Sequence, residues 1–164
     1  MLRIIFRSEV TSLLSYTDIQ KICLASARNN RKFNVTGYMV ECGGVFVECL
    51  EGPPENVKST MKVIESDRRH HNIATLLHHR TSHRRAFGVW SMNVMFLDDQ
   101  LLWQRAIGSV HAYDRFLEYS RDPAFSIGVL ARAYRHACAV LRVDPAAPTA
   151  SRGKIPRLKQ MLRD

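Results

Sequence analysis

Asn34-Val-Thr-Gly-Tyr-Met-Val-Glu-Cys-Gly-Gly-Val-Phe-Val-Glu-Cys-Leu-Glu-Gly-Pro-Pro54 is the stretch from which the fold can be read outward. Residues 34–41 and 45–50 are rich in strand-forming types and read as two strands. The Gly43-Gly44 pair between them can take positive φ at both positions, which a tight hairpin requires. Pro53-Pro54 ends the second strand and opens a helix whose apolar stripe is Val57, Met61 and Ile64. Upstream, residues 2–7 form a short branched strand, and Ser15-Tyr-Thr-Asp-Ile19 offers hydroxyl caps to a helix running to about Asn29. Ile19, Ile22, Cys23 and Ser26 share one face of that helix. Downstream, residues 73–80 and 89–96 supply a fourth and a fifth strand.

This order predicts an α+β, ferredoxin-like split βαβ fold: a five-stranded mixed sheet with two helices on one face. The other sheet face needs a cover, because apolar sheet surface is unstable in water. Residues 112–121 and 125–141 have helical patterning, the second with Ile127, Leu130, Ala131, Tyr134 and Cys138 on a face, and they are expected to pack on that open face or on a partner. The chain therefore divides into a domain over 1–97, a helical extension over 98–141 and a basic, loose tail over 142–164.

The 164 residues, 46% apolar and 24% charged, suit a soluble globular protein with a real core. No apolar run approaches the roughly 18 residues of a membrane span, and Met1-Leu-Arg-Ile-Ile-Phe-Arg-Ser8 lacks the form of a secretory signal, so a cytoplasmic location is expected. Cys23, Cys42, Cys49 and Cys138 have no paired metal-ligand spacing; Cys42 and Cys49 could face each other across the hairpin, but ordinary buried thiols are expected. The net charge is +9, and residues 68–97 hold Arg68, Arg69, Arg80, Arg84 and Arg85 with no acid. Such fields attract acidic partners, nucleic acid or anionic lipid without choosing among them. Five of the seven histidines lie between His70 and His83, but neighbours such as His78 and His79 point to opposite faces of a strand, which argues against one metal site. Glu48 and Glu51 likewise diverge by face, and no nucleophile or phosphate-binding motif is present, so no enzyme activity is expected.

Five segments, in order, resemble the BLUF family of blue-light sensors that use FAD: Ser26-Ala-Arg-Asn-Asn30, Val35-Thr-Gly37, Phe46-Val-Glu-Cys-Leu-Glu-Gly52, Asp67-Arg-Arg-His70 and Phe87-Gly-Val-Trp-Ser-Met92. Together they cover essentially all of residues 1–97. The resemblance implies a flavin ring between the two helices, with FAD the expected cofactor, FMN or an empty pocket the alternatives. It implies that Asn30, with Asn29 beside it, holds the polar edge of the ring, that Arg69 and His70 lie near it, and that Thr36, Trp90 and Met92 surround it. Lys58 and Lys62 are placed to reach a pyrophosphate on the residues alone. Without the resemblance, the two asparagines read equally as a helix terminus.

Two residues depart from the family pattern. Phe6 matches the position of the family's photoactive tyrosine, and a phenyl ring has no O–H to give. Glu48 matches the switching glutamine that bonds flavin N5 and O4, and an ionised carboxylate offers these acceptors only further acceptors. Glu48 must then be protonated through burial, pair with a base such as Arg7, displace the ring, or sit in an empty pocket. The resemblance implies a regulatory flavin-binding protein acting through protein contacts, with its usual light chemistry impaired. Its partner is expected to be a transcriptional or signalling regulator, with self-association into an oligomer. A flavin-free adaptor or anti-repressor is the alternative, and a nucleic-acid binder using the basic tail is less favoured.

Overall fold

The computed structural model describes residues 1–11, 14–108 and 115–147. Its elements are β1 (Leu2–Val10), α1 (Tyr16–Lys32), β2 (Thr36–Cys42), β3 (Val45–Gly52), α2 (Pro54–Glu65), β4 (His70–Arg80), β5 (Val94–Phe96), α3 (Gln100–Ala106), α4 (Phe116–Tyr119) and α5 (Pro123–Val140). The sheet order is β4-β1-β3-β2-β5. β1 runs antiparallel to β3 and β4, β2 antiparallel to β3, and β5 joins β2 in parallel, which makes the sheet mixed.

Local chemistry sets the element ends. Gly43 and Gly44 have φ of 58° and 81°, as the tight hairpin requires. At the head of α1, Ser15 Oγ accepts the Asp18 N–H while the Asp18 carboxylate accepts the Ser15 N–H, a reciprocal capping box. Asp122 caps α5 through the Phe125 N–H, with Pro123 in the first turn.

Two apolar layers flank the sheet. On one side Leu2, Ile4, Phe6, Met39, Phe46 and Leu50 pack with Ile19, Cys23 and Ala27 of α1 and Val57 and Met61 of α2. On the other side Ile5, Tyr38, Val40, Val47 and Cys49 pack with Trp103 of α3 and with Leu130, Ala133, Tyr134 and Ala137 of α5. The C-terminal helices thus lie on the second sheet face. Tyr38 ties β2 to α5 within this second layer, its fully buried hydroxyl donating to the Ala133 carbonyl at 3.2 Å. Tyr38→Phe leaves that carbonyl short of a partner and is expected to lower unfolding free energy by about 1 kcal/mol, read from the denaturant midpoint at unchanged m.

Several elements differ from the expectations. The fifth strand is only Val94–Phe96, because residues 89–93 run irregularly beside β2. β4 begins at His70 rather than 73 and is the sheet edge, which places the histidine-rich stretch on an outer strand. Within the expected 112–121 helix, Phe116–Tyr119 is helical among the described residues, and 112–114 lie outside them. α3 was not expected; its signal is Asp99, whose carboxylate accepts the Leu102 N–H as an N-cap. Cys42 and Cys49 do not face each other, for their hairpin partners are Val45 and Tyr38; all four cysteines are free and buried. In the segment expected to be loose, the carbonyls of Pro145 and Ala146 accept from Tyr134 and Arg84, and 148–164 lie outside the described residues. Among the described residues no helix is long and apolar enough to cross a membrane.

A flavin-sized cleft between the first two helices

The two helices on the β1–β3 face do not close on each other. Between α1 and α2 lies a cleft whose outer part, about 430 Å³, is lined by Asn29, Asn30, Phe33, Asn56, Thr60, Val63 and Met92, with Glu48 on its floor. An inner part of about 370 Å³ is lined by Cys23, Met39, Asp67, Arg69 and His70, and again by Asn29, Glu48 and Met92. Apolar walls from Phe33, Met39, Val63, Ile64 and Met92 alternate with many polar side chains, a mixed lining that can both bury and orient a small molecule.

Helical spacing brings the α1 residues in: Cys23, Ser26 and Asn30 recur at three and four positions, so one face looks into the cleft. Asn30 is 2% exposed, and its Nδ2 donates to the Ser91 carbonyl at 2.8 Å. That bond fixes the amide and leaves Oδ1 as the acceptor on the cleft side. Ser91 and Met92 belong to the irregular segment before β5, which is tied to β2 by the Gly37 N–H donating to the Trp90 carbonyl. Gly37 leaves room there: a Cβ at this position would stand 2.5 Å from the Met92 terminal methyl, which would have to move, and a tight 3.1 Å from the Cys49 carbonyl oxygen.

Glu48 sits in the middle of β3, opposite Phe6 of β1 and Met39 of β2. It is 7% exposed, and among the described residues its carboxyl has neither a hydrogen bond nor an ion pair. Burial pushes its pKa from 4.5 up to about 8, so at neutral pH the neutral acid predominates. The suggested pairing with Arg7 does not occur. Arg7 lies on the opposite sheet face, where its Nε donates to Ser120 Oγ at 3.2 Å and its Nη2 to Glu9 at 2.8 Å. Strand alternation keeps consecutive residues apart.

Of the remaining expected site residues, Arg69 and His70 border the inner part. Arg69 is half exposed and closes on Asp67, holding that carboxyl down at about 2. The His70 ring, pushed down by burial, shares a hydrogen bond with Ser8 at 3.1 Å. Phe6 is buried behind the floor in the same apolar layer and is not a lining residue. Trp90 is a correction: it packs on the far face, with ring centroids 5.7 Å from Tyr38 and 5.5 Å from Tyr134. Alternation along a regular strand would put positions 90 and 92 on one face, but no strand exists before Val94, and the chain crosses the sheet edge between them. Thr36 also stays out of the cleft, its hydroxyl directed at the Glu51 carbonyl. Lys58 pairs with Glu55 at 3.0 Å, and neither Lys58 nor Lys62 lines the cleft. Cys23, Met39, Asn56 and Thr60 are among the lining residues that sequence reasoning missed; Cys23 was legible two helical turns before Asn30, whereas Asn56 and Thr60 needed the approach of α2 to be known.

The sequence profile of the sensors of blue light using FAD matches residues 1–93. The chain belongs to the BLUF family. A similar curated protein is the blue light- and temperature-regulated antirepressor BluF of Escherichia coli, 35% identical over 74 residues, a stretch covering 45% of this chain and 18% of that one. The chain thus spans about a fifth of that relative's length. A bacterial light-regulated adenylyl cyclase is similar in structure, with a TM-score of 0.61 and 31% identity over 72% of this chain and 36% of the other. The dark-state structure of the BLUF protein BlrB aligns with a TM-score of 0.64 over 79% of this chain and 94% of its own, at 24% identity.

The fold over residues 1–93 is that of a BLUF domain, one of a family of flavin-binding signalling modules. The cleft fits the cofactor chemically. Asn29 and Asn30 can meet donors and acceptors of a ring edge, and a neutral Glu48 supplies an O–H donor opposite ring acceptors.

Proposed function

We propose that this chain is a regulatory flavoprotein module that holds FAD in the α1/α2 cleft, signals by contact with another protein, and has lost the family's usual light chemistry. The observation that carries this reading is the convergence of Asn29, Asn30, Glu48 and Met92 on one cleft in a BLUF fold, with none of the described tyrosines lining it. Tyr16 is exposed at the head of α1 against Phe96, and Tyr38 and Tyr134 belong to the far face.

When bound, flavin supplies blue absorption and a redox-active ring. Asn29 and Asn30 would hold it through their side-chain amides, Met92, Val63 and Ile64 through apolar contact, and Arg69 and His70 would border it. Phe6 stands where the family uses a tyrosine and can neither release a proton nor orient a neighbouring amide. Trp90 lies across the sheet, which removes the indole as a lining electron donor. An antirepressor among the relatives supports a protein partner, and self-association through exposed surface accompanies this reading.

The purified protein should show flavin absorption in the blue, and illumination should not shift those bands. Phe6→Tyr combined with Glu48→Gln should restore a reversible red shift under the same light. A shift in the unaltered protein overturns the loss of light chemistry. No flavin bands, and no gain in thermal midpoint with added FAD, favour the flavin-free adaptor, because a ligand that binds only the folded state must stabilise it.

A further inference from the structure

We infer that Glu48 is the specificity-determining group of the cleft: its neutral carboxyl donates to an acceptor on the bound ring, its carboxylate rejects that ring, and binding is coupled to proton uptake. The inference rests on the reading of the cleft as a flavin site.

The geometry leaves a charge at this position without support. The register neighbours of Glu48 are Phe6 and Met39, both apolar. From α1 it is faced by Cys23, whose thiol burial and Glu48 together push up to about 12, and by the neutral amides of Asn29 and Asn30. Lys21 borders the inner part, largely exposed and 3.5 Å from Asp18, while Lys32 stands at the outer rim. α2 contributes Ser59, Thr60, Val63 and Ile64, none of which titrates. At the start of β4, Arg69 is closed on Asp67, and burial holds the His70 imidazole toward its neutral form. The segment before β5 contributes Met92. None of these cations forms an ion pair with Glu48, and an unpaired buried charge is strongly disfavoured.

Asn30 gives this a direction. One of its two amide hydrogens is used by the Ser91 carbonyl and its Oδ1 is left to accept, while neutral Glu48 donates. The pair therefore selects a ring that presents a donor to the one and an acceptor to the other, as the imide edge of an oxidised isoalloxazine does. Ionisation of Glu48 sets lone pair against lone pair and converts the floor from donor to acceptor only.

The test is FAD binding to the full chain between pH 6 and about 9.5, followed by flavin fluorescence and by calorimetry in buffers of different ionisation enthalpy. With Glu48 titrating near 8, affinity should fall about tenfold per pH unit above that point, and binding there should take up close to one proton. Glu48→Gln should bind with little pH dependence and no proton uptake. Equal slopes in both proteins, or a flat profile in the unaltered one, overturn the inference. If neither protein binds FAD at pH 6, the flavin reading fails, and the infrared spectrum of the ligand-free protein decides the rest. A protonated-carboxyl C=O band at pH 7 that Glu48→Gln lacks upholds the proton-holding floor; its absence overturns it.

Discussion

Glu48→Gln should make the ligand-free protein more stable at pH 8 by about 4 kcal/mol relative to the unaltered chain, an increase of roughly 10 °C in the thermal midpoint. The sign follows from linkage. Burial raises the Glu48 carboxyl from 4.5 to about 8, so between these values the folded chain holds a proton that the unfolded chain has released. Stability is full below the unfolded value and declines as pH rises toward the folded one, by about 1.4 kcal/mol per unit from this group. Glutamine keeps the shape and never ionises, so the decline is removed while stability at pH 4 changes little. Thermal melts of both proteins from pH 4 to about 9 check this, and parallel curves would show that the carboxyl finds compensation in the folded state.

The second large effect belongs to the other buried glutamate of β3. Glu51 is fully buried, and its carboxylate accepts Arg3 Nε and the backbone N–H groups of Ala86 and Phe87, the latter two at 3.1 and 2.8 Å. One side chain thus pins the chain between β4 and β5 to the sheet. Glu51→Ala strands a guanidinium and two amides, and should lower unfolding free energy by about 3–5 kcal/mol. Glu51→Gln retains one acceptor oxygen and should lose less. Phe87 begins the segment that delivers Ser91 and Met92 to the cleft, so Glu51→Ala should also weaken FAD binding at a pH where Glu48 is neutral. A denaturant midpoint lowered by less than about 1 kcal/mol equivalent would reassign Glu51 to a minor role.

The two glutamates show how far the sequence could be read. The hairpin around Gly43-Gly44, the capped first helix and the proline-opened second helix are local patterns, and each stands where its chemistry predicted. Asn30 and Glu48 come together because helix and strand periodicities place their faces, and Met92 joins them from the irregular segment before β5. Trp90, placed beside the ring by the resemblance, packs on the far sheet face because residues 87–93 form no regular strand. The role of Glu51 was not legible, since its partners lie 48, 35 and 36 positions away and only the folded sheet brings them within reach. Arg7 reading Ser120 across 113 positions is the same kind of fact.

Gly37 bears on the cleft in a different way. The methyl of Met92 occupies the room that any other residue at 37 would fill with its own β-carbon. The breadth of the binding space is therefore calibrated from underneath, by a hydrogen atom on the strand that also sends Met39 into the cleft. A collection of variants randomised only at residues touching the ligand would leave this adjustment undiscovered, whereas enlarging position 37 would resize the space and leave the surface that recognises the guest intact.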